Sequence, residues 1–244
     1  MAQSQFAFNF RLTPWENCLN LNFPGVQLAP RFGAVCTRDF LGIFWNGEQE
    51  DYQQAVGTAH HLARSLVHAH AFCSFPNGCV LDVEPVTWLE LRNAQPEKIV
   101  SGYMHPTLNI VPLVPDHSDN APLRRAASMV HQIFQFVQLG LALADFHAAR
   151  RETGSYGFFY AYRVLEDVGY HFGVTKGDHP DWDAMNKALK TSKQKWDPLV
   201  NAGTSARHLS QEKLKQLAQA DSGRLLALAR EAITLFIEHL RITP

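Results

Sequence analysis

At 244 residues, 46% apolar and 18% charged, the chain has the composition of an ordinary globular protein, long enough for one large or two small domains and neither disordered nor fibrous. The greasiest stretch, Ile133 to Leu143, is interrupted by Gln135, Gln138 and Gly140, so no apolar run approaches the ~20 residues of a membrane span. The formal net charge of −1 hides an asymmetry: residues 1–120 carry six Lys or Arg against eleven Asp or Glu, a net of −5, and residues 121–244 carry sixteen against twelve, a net of +4. A polyanionic partner would be sought on the basic half.

The opening MAQSQFAFNF has neither a basic start nor a sustained apolar core, so no secretory signal is read and a cytoplasmic location is expected. Phe6, Phe8, Phe10 and Leu12 alternate with a period of two, which predicts a strand; Val35–Thr37, Leu41–Trp45, Val80–Val83 and Thr87–Leu91 are further strand candidates. Between them, from Asp51 to about Phe72, Ala55, Ala59, Leu62, Ala63, Leu66 and Val67 recur at three and four, with Glu48, Glu50 and Asp51 where a helix dipole favours negative charge. The four cysteines, Cys18, Cys36, Cys73 and Cys79, form no CxxC pair and read as free thiols. On the long helix His60 and Arg64 occupy the one-turn spacing that a metal pair would need, and the cation opposes a metal; no metal site is expected.

The stretch 106–122, with Pro106, Pro112, Pro115 and Pro122 among Asp and Ser residues, reads as a linker after a mixed unit over 1–105. From 123 to 244 the pattern is helical. Leu123 to about Glu152 reads as one helix, apolar on more than one face, followed by helices over about Ser155–Phe172, after Pro180 through Leu189, and over roughly Ser192–Arg207. Ser210 is a candidate cap for a helix through Leu214 and Leu217, and Asp221 or Ser222 for the last, through Leu240. Asp178, Asp181 and Asp183 with His179 precede Trp182 and read as a helix start.

The helical half has a distinct texture. Tyr156-Gly-Phe-Phe-Tyr-Ala-Tyr-Arg163-Val-Leu-Glu166, then Gly169-Tyr-His171-Phe172, then Trp182, Met185, Leu189 and Ser192, and finally Ala206-Arg207-His208 resemble the helical HEPN domains found in many bacterial proteins. The likeness covers roughly 123–244 and lies in a tyrosine-rich helix with a "YR..E" core, a tryptophan-led short helix and an Arg-His pair opening a later helix. It implies a bundle of four or more helices that often dimerises and, in active members, a metal-independent RNA-cleaving site of Arg, a polar residue and a His a few positions on. The chemistry is clear: imidazole takes the 2′-hydroxyl proton near neutral pH and a guanidinium holds the phosphate in a fork. Arg207 and His208 fill the first two places, but residues 209–217 contain no histidine, which favours binding over cleavage. His131, His147 and His171 are the candidates to complete His208 from other helices.

Other readings of the same residues stay open. Arg207 and His208 form either a phosphate contact or a structural element, Arg207 then pairing with Glu166. Arg163 and Glu166, three apart on one helix face, pair with each other or hold partners from a neighbouring helix; with His171 they are structural or ligand-orienting. The aromatics of the tyrosine-rich helix either stack bases or pack the core. There is no phosphate loop, GxSxG, HExxH or dinucleotide fingerprint, so no cofactor is expected. The expectation is an α+β protein with a small mixed α/β amino-terminal unit and an all-helical, HEPN-like bundle. As function, it is either a binder of RNA or nucleotide, degenerate or active as a ribonuclease of the toxin or defence kind, or a non-catalytic interaction protein. A homodimer through the carboxyl-terminal helices and no membrane partner are expected.

Overall fold

The structure is a computed structural model that describes residues 4–13, 22–37, 40–47, 52–92, 95–102, 121–175, 177–207 and 221–242. The fold is α+β, and the chain divides into two compact units, Met1–His131 and Gln132–Pro244.

The first unit is built on strands β1 (Ser4–Thr13), β2 (Asn22–Ala29), β3 (Phe32–Thr37), β4 (Phe40–Gly47), β5 (Asp82–Arg92) and β6 (Gln95–Gly102), with helix α1 (Tyr52–Cys73) between β4 and β5. They form a six-stranded antiparallel sheet in the order β2-β3-β4-β1-β5-β6. The period-two pattern of β1 is realised. Phe6, Phe8 and Phe10 stand opposite Trp45, Ile43 and Leu41, so all six share one face, and all are buried. Helix α1 packs on the sheet with its buried row Ala55, Ala59, Leu62, Ala63, Leu66 and Val67, and the His60 ring meets Phe10 edge-on at 5.2 Å. Burial, helped by Arg64, lowers the pKa of His60. Removing each such side chain from water contributes about 1.5–3 kcal/mol, which makes this layer the unit's anchor.

Two strands escaped the sequence reading, and their prolines explain why. Pro24-Gly25 reads as a turn, yet it lies within β2, where the register with β3 shifts between Phe23 and Val26. Pro96 lies in β6. Both strands are sheet edges, where an imino nitrogen costs no ladder bond. The expected pair Val80–Val83 and Thr87–Leu91 merges into a single strand, β5, which begins only at Asp82, because the register against β1 shifts between Asn9 and Phe10, opposite Pro85, and the bulge carries the chain past the proline.

Of the stretch expected as a linker, residues 106–120 lie outside the described residues, and Ala121 and Pro122 open helix α2 (Ala121–Gln135), a place that tolerates proline. The expected single helix from Leu123 to Glu152 is two, α2 and α3 (Val137–Arg151). Phe136 between them is extended (φ −127°, ψ 96°), and its carbonyl accepts from Leu139 (3.0 Å) and Gly140 (3.2 Å), so the helical ladder restarts there. Neither proline nor glycine marks the break, which is why continuous apolar periodicity hid it.

Helix α4 (Gly154–His171) follows, then a short hairpin of β7 (Val174–Thr175) with β8 (His179–Pro180), and helices α5 (Trp182–Ala188), α6 (Lys193–Arg207) and α7 (Ser222–Ile242). The two-residue strands of the hairpin apart, the described part of this half is helical, as expected. Asp181 caps α5 by accepting from the Ala184 N–H at 2.9 Å, and Asp221 caps α7 through Arg224 at 3.2 Å, as the acidic helix starts predicted. The cap proposed at Ser210 lies outside the described residues. Helix α4 is central: it packs against α3, α6 and α7 and buries Phe158, Ala161, Val164, Leu165 and Val168. A Cβ at Gly203 of α6 would collide with the Tyr162 side chain, so this glycine sets how closely α6 approaches α4.

Candidate functional site

Helix α4 carries four polar side chains within six residues, and the neighbouring helices answer them. Arg163 and Glu166 do not pair with each other: each takes a partner from another helix. Arg163 Nε donates to Asp145 Oδ2 of α3 at 2.7 Å, and Arg207 of α6 donates to Glu166 Oε2 at 2.6 Å. The guanidinium of Arg207 also lies over the rings of Tyr162 (4.8 Å to the centroid) and Phe159 (5.4 Å). Thus Arg207 is held by one carboxylate and two rings, with its side chain still 39% exposed. Burial, with the adjoining Glu166 carboxylate accepting its hydroxyl proton, pushes the Tyr162 pKa up to about 12.

A second carboxyl crowds the Arg163–Asp145 pair. Asp167, one turn after Arg163, is 4% exposed, and its Oδ2 has no hydrogen-bond partner. Burial, then the charge and hydrogen bond of Asp145, raise its pKa to about 8, so Asp167 keeps its proton near neutrality. The hydrogen bond to Asp145 in turn raises the pKa of Arg163.

His171, at the end of α4, stands apart from these groups in an aromatic nest. Its ring meets Phe172 at 5.1 Å, Phe236 at 4.8 Å, Phe136 at 6.3 Å and His239 at 6.2 Å. Burial, and then His239, lower its pKa, which keeps it neutral at pH 7. His208, the other half of the expected Arg-His pair, lies outside the described residues. Of the aromatic side chains of α4, Phe158 and Tyr162 are buried in packing, while Tyr156 is 68% exposed.

Beside this network, α4, α5, α6 and the hairpin enclose a cleft of about 370 Å³. Tyr162, Trp182 and Trp196 form its aromatic wall, and Asp181, Asp183, Asn186 and Lys193 bring polar groups to it. Its volume is at the lower end of ligand pockets, ~300–1,000 Å³. Gly169 makes room for it: a Cβ there would sit 2.7 Å from Pro180 Cβ and 3.1 Å from Trp182 Cζ3, so the glycine lets the hairpin and the tryptophan lie against α4. Asn186 is oriented by its own neighbours. Its Oδ1 accepts from Trp196 Nε1 at 3.0 Å and from the Thr191 hydroxyl at 2.9 Å, which spends both lone pairs and leaves the amide only its N–H donors to offer.

The sequence reading missed Asp145, Asp167 and Asn186. A lone acid in the apolar run Leu139–Ala149 and an Asp four residues after Arg163 were the available signals, since isolated carboxyls on greasy helix faces need partners. Asn186 left no signal. Among the described residues no group of three or more His, Cys, Asp or Glu could hold a metal ion, and no helix is long and apolar enough to cross a membrane. Cys36, Cys73 and Cys79 are free thiols.

Residues 126–240 match a family model described as the C-terminal domain of a domain of unknown function, DUF8168. That span contains the whole α4 network and the cleft. No curated protein and no solved structure matches the chain.

Proposed function

We propose that this chain is a cytoplasmic binding protein whose helical unit holds RNA or a nucleotide without cleaving it. The cleft beside α4 carries the reading: a small cavity with tryptophan and tyrosine walls and an amide whose oxygen is already bonded suits a planar, polar ring. Three features weigh for binding over cleavage. The resemblance to HEPN domains lacks its closing histidine, Arg207 is committed to Glu166 and two rings, and His171 sits among aromatic side chains. Titration of the full chain with mononucleotides and short single-stranded RNA, followed by tryptophan fluorescence and calorimetry, should give saturable binding. The same preparation should leave labelled RNA intact. RNA cleavage that disappears in both Arg207→Ala and His208→Ala would overturn the non-catalytic reading, and absence of any saturable binding would overturn the reading as a whole.

The interaction reading has its own observation. Val137 and Leu141, one turn apart on α3, are 66% and 48% exposed. A homodimer through this face would be seen by light scattering as about twice the chain mass of 27.5 kDa and lost in Val137→Glu.

A further inference from the structure

The cleft carries a donor and an acceptor group at fixed spacing. Asp183 and Asn186 are three residues apart on α5, hence neighbours on one helix face with Cβ atoms about 5–6 Å apart. Both line the cleft, with Trp182 beside them. The carboxylate of Asp183 offers two acceptor oxygens. The amide of Asn186 offers only donors, because its oxygen is already spent on Trp196 and Thr191. In order along the helix face the wall therefore presents acceptor, acceptor, donor.

The complement of that row is a ring edge with two adjacent N–H donors followed by a carbonyl. Guanine has it in N2–H, N1–H and O6. Adenine and cytosine each offer an amino group next to a bare ring nitrogen, and uracil offers one N–H between two carbonyls. The usual asparagine contact to adenine needs both the amide oxygen and the amide nitrogen, and here the oxygen is taken. We propose that this cleft selects guanine, with Asp183 accepting from N1–H and N2–H, Asn186 donating to O6, and the tryptophan wall stacking on the ring. The inference rests on the binding reading above and names the base that the site takes.

The electrostatics agree with recognition through the base rather than the phosphate. Asp181 and Asp183 outnumber Lys193 at the rim, so a phosphate gains little there, whereas a carboxylate facing two N–H groups makes charge-assisted bonds. Asp181 is not part of the reading pair, since its Oδ1 caps α5.

The test uses the full chain with guanosine, adenosine, cytidine, uridine and guanosine monophosphate as probes, read by tryptophan fluorescence and calorimetry. Guanosine should bind at least about tenfold more tightly than the other three nucleosides, in line with one bidentate base contact. Its monophosphate should stay within a few-fold of guanosine. Asn186→Asp keeps an oxygen for Trp196 and Thr191 while removing the donors, and Asp183→Asn removes the paired acceptors on an exposed position with an unchanged melting temperature; each should weaken guanosine by about tenfold. Equal affinity for all four nucleosides would overturn the guanine assignment and leave the binding reading standing. Guanosine binding that survives both substitutions would overturn this cleft as its site. Failure of every nucleoside and nucleotide to bind would overturn both readings together.

Discussion

The two units handle polarity in opposite ways. In the sheet unit β1, β4 and α1 meet through rings and aliphatic side chains: Phe6, Phe8, Phe10, Leu41, Ile43 and Trp45 against Leu62, Leu66 and Val67. In the helical unit α4, which is equally central, carries Tyr162, Arg163, Glu166 and Asp167 into contact with one acid, Asp145, and one cation, Arg207, of other helices. An apolar layer is satisfied by any well-shaped neighbour, whereas a charged group needs one particular partner. The helical unit therefore pairs its polar groups across helices, and most of the described groups with a shifted pKa lie there.

The contrast can be broken most directly at the sheet. Phe8 is fully buried in the middle of β1, so Phe8→Ala should cost about 3–5 kcal/mol, a transfer loss plus a cavity. Because no charge is involved, the loss measured by chemical denaturation should be the same at pH 5 and pH 8. A loss that changes with pH would mean that the sheet core is coupled to an ionisable group.

The opposite behaviour is expected at Asp167. Its carboxyl titrates at about 8 in the folded protein, against an ordinary value of 3.8. Below about pH 4 the folded and unfolded chains both hold the proton; between there and about pH 8 the unfolded chain releases it while the folded chain does not. The group therefore contributes stability at low pH that is progressively lost as pH rises through about 8. Asp167→Asn keeps the shape and removes the titration. It should raise the melting temperature at pH 8, change it little at pH 4, and flatten the difference between the two. A variant that melts lower than wild type at pH 8 would refute the raised pKa of Asp167.

Close helix approach gives the next largest effect. A Cβ at Gly203 overlaps the Tyr162 side chain, so Gly203→Ala should destabilise by about 1–3 kcal/mol, offset slightly by the better helix propensity of alanine. Since Tyr162 also lines the cleft, the same variant should weaken nucleoside binding, unlike Phe8→Ala under conditions where both remain folded.

The comparison also explains what could be read in advance. Period-two alternation in β1 and the three-four rhythm of α1 and α7 report burial against a generic apolar surface, and the structure places them as the pattern required. What failed was legible only through tertiary context. Pro24 and Pro96 mark edges of a sheet whose order no local signal reveals, Pro85 is accommodated by a bulge, and the break at Phe136 has no breaker residue. At the site, the Arg207–Glu166 pair was among the readings open from sequence, as the structural alternative to a phosphate contact. The partner of Arg163 was not, since choosing Asp145 requires knowing that α3 lies beside α4. Asn186 is an ordinary polar residue in sequence, and only the donors closing on its oxygen make it a directed group.

Arg207 gives the smallest effect and the sharpest choice between its two roles. Its side chain is 39% exposed, so solvent screens the bond to Glu166, and the stacking on Tyr162 and Phe159 is partly wet. Arg207→Ala should cost only about 0.5–1 kcal/mol. Arg207→Lys should recover part of that, because the charge returns without the planar fork and its ring contacts. Nucleoside affinity should be unchanged in both, since Arg207 does not line the cleft and the contacts to the base come from α5. Melting temperature and calorimetric titration on the same samples decide it. An Arg207→Ala protein that melts like wild type but has lost affinity for RNA would move the phosphate contact back to the Arg-His pair, as the resemblance to HEPN domains implies, and would make Glu166 its gate rather than its anchor.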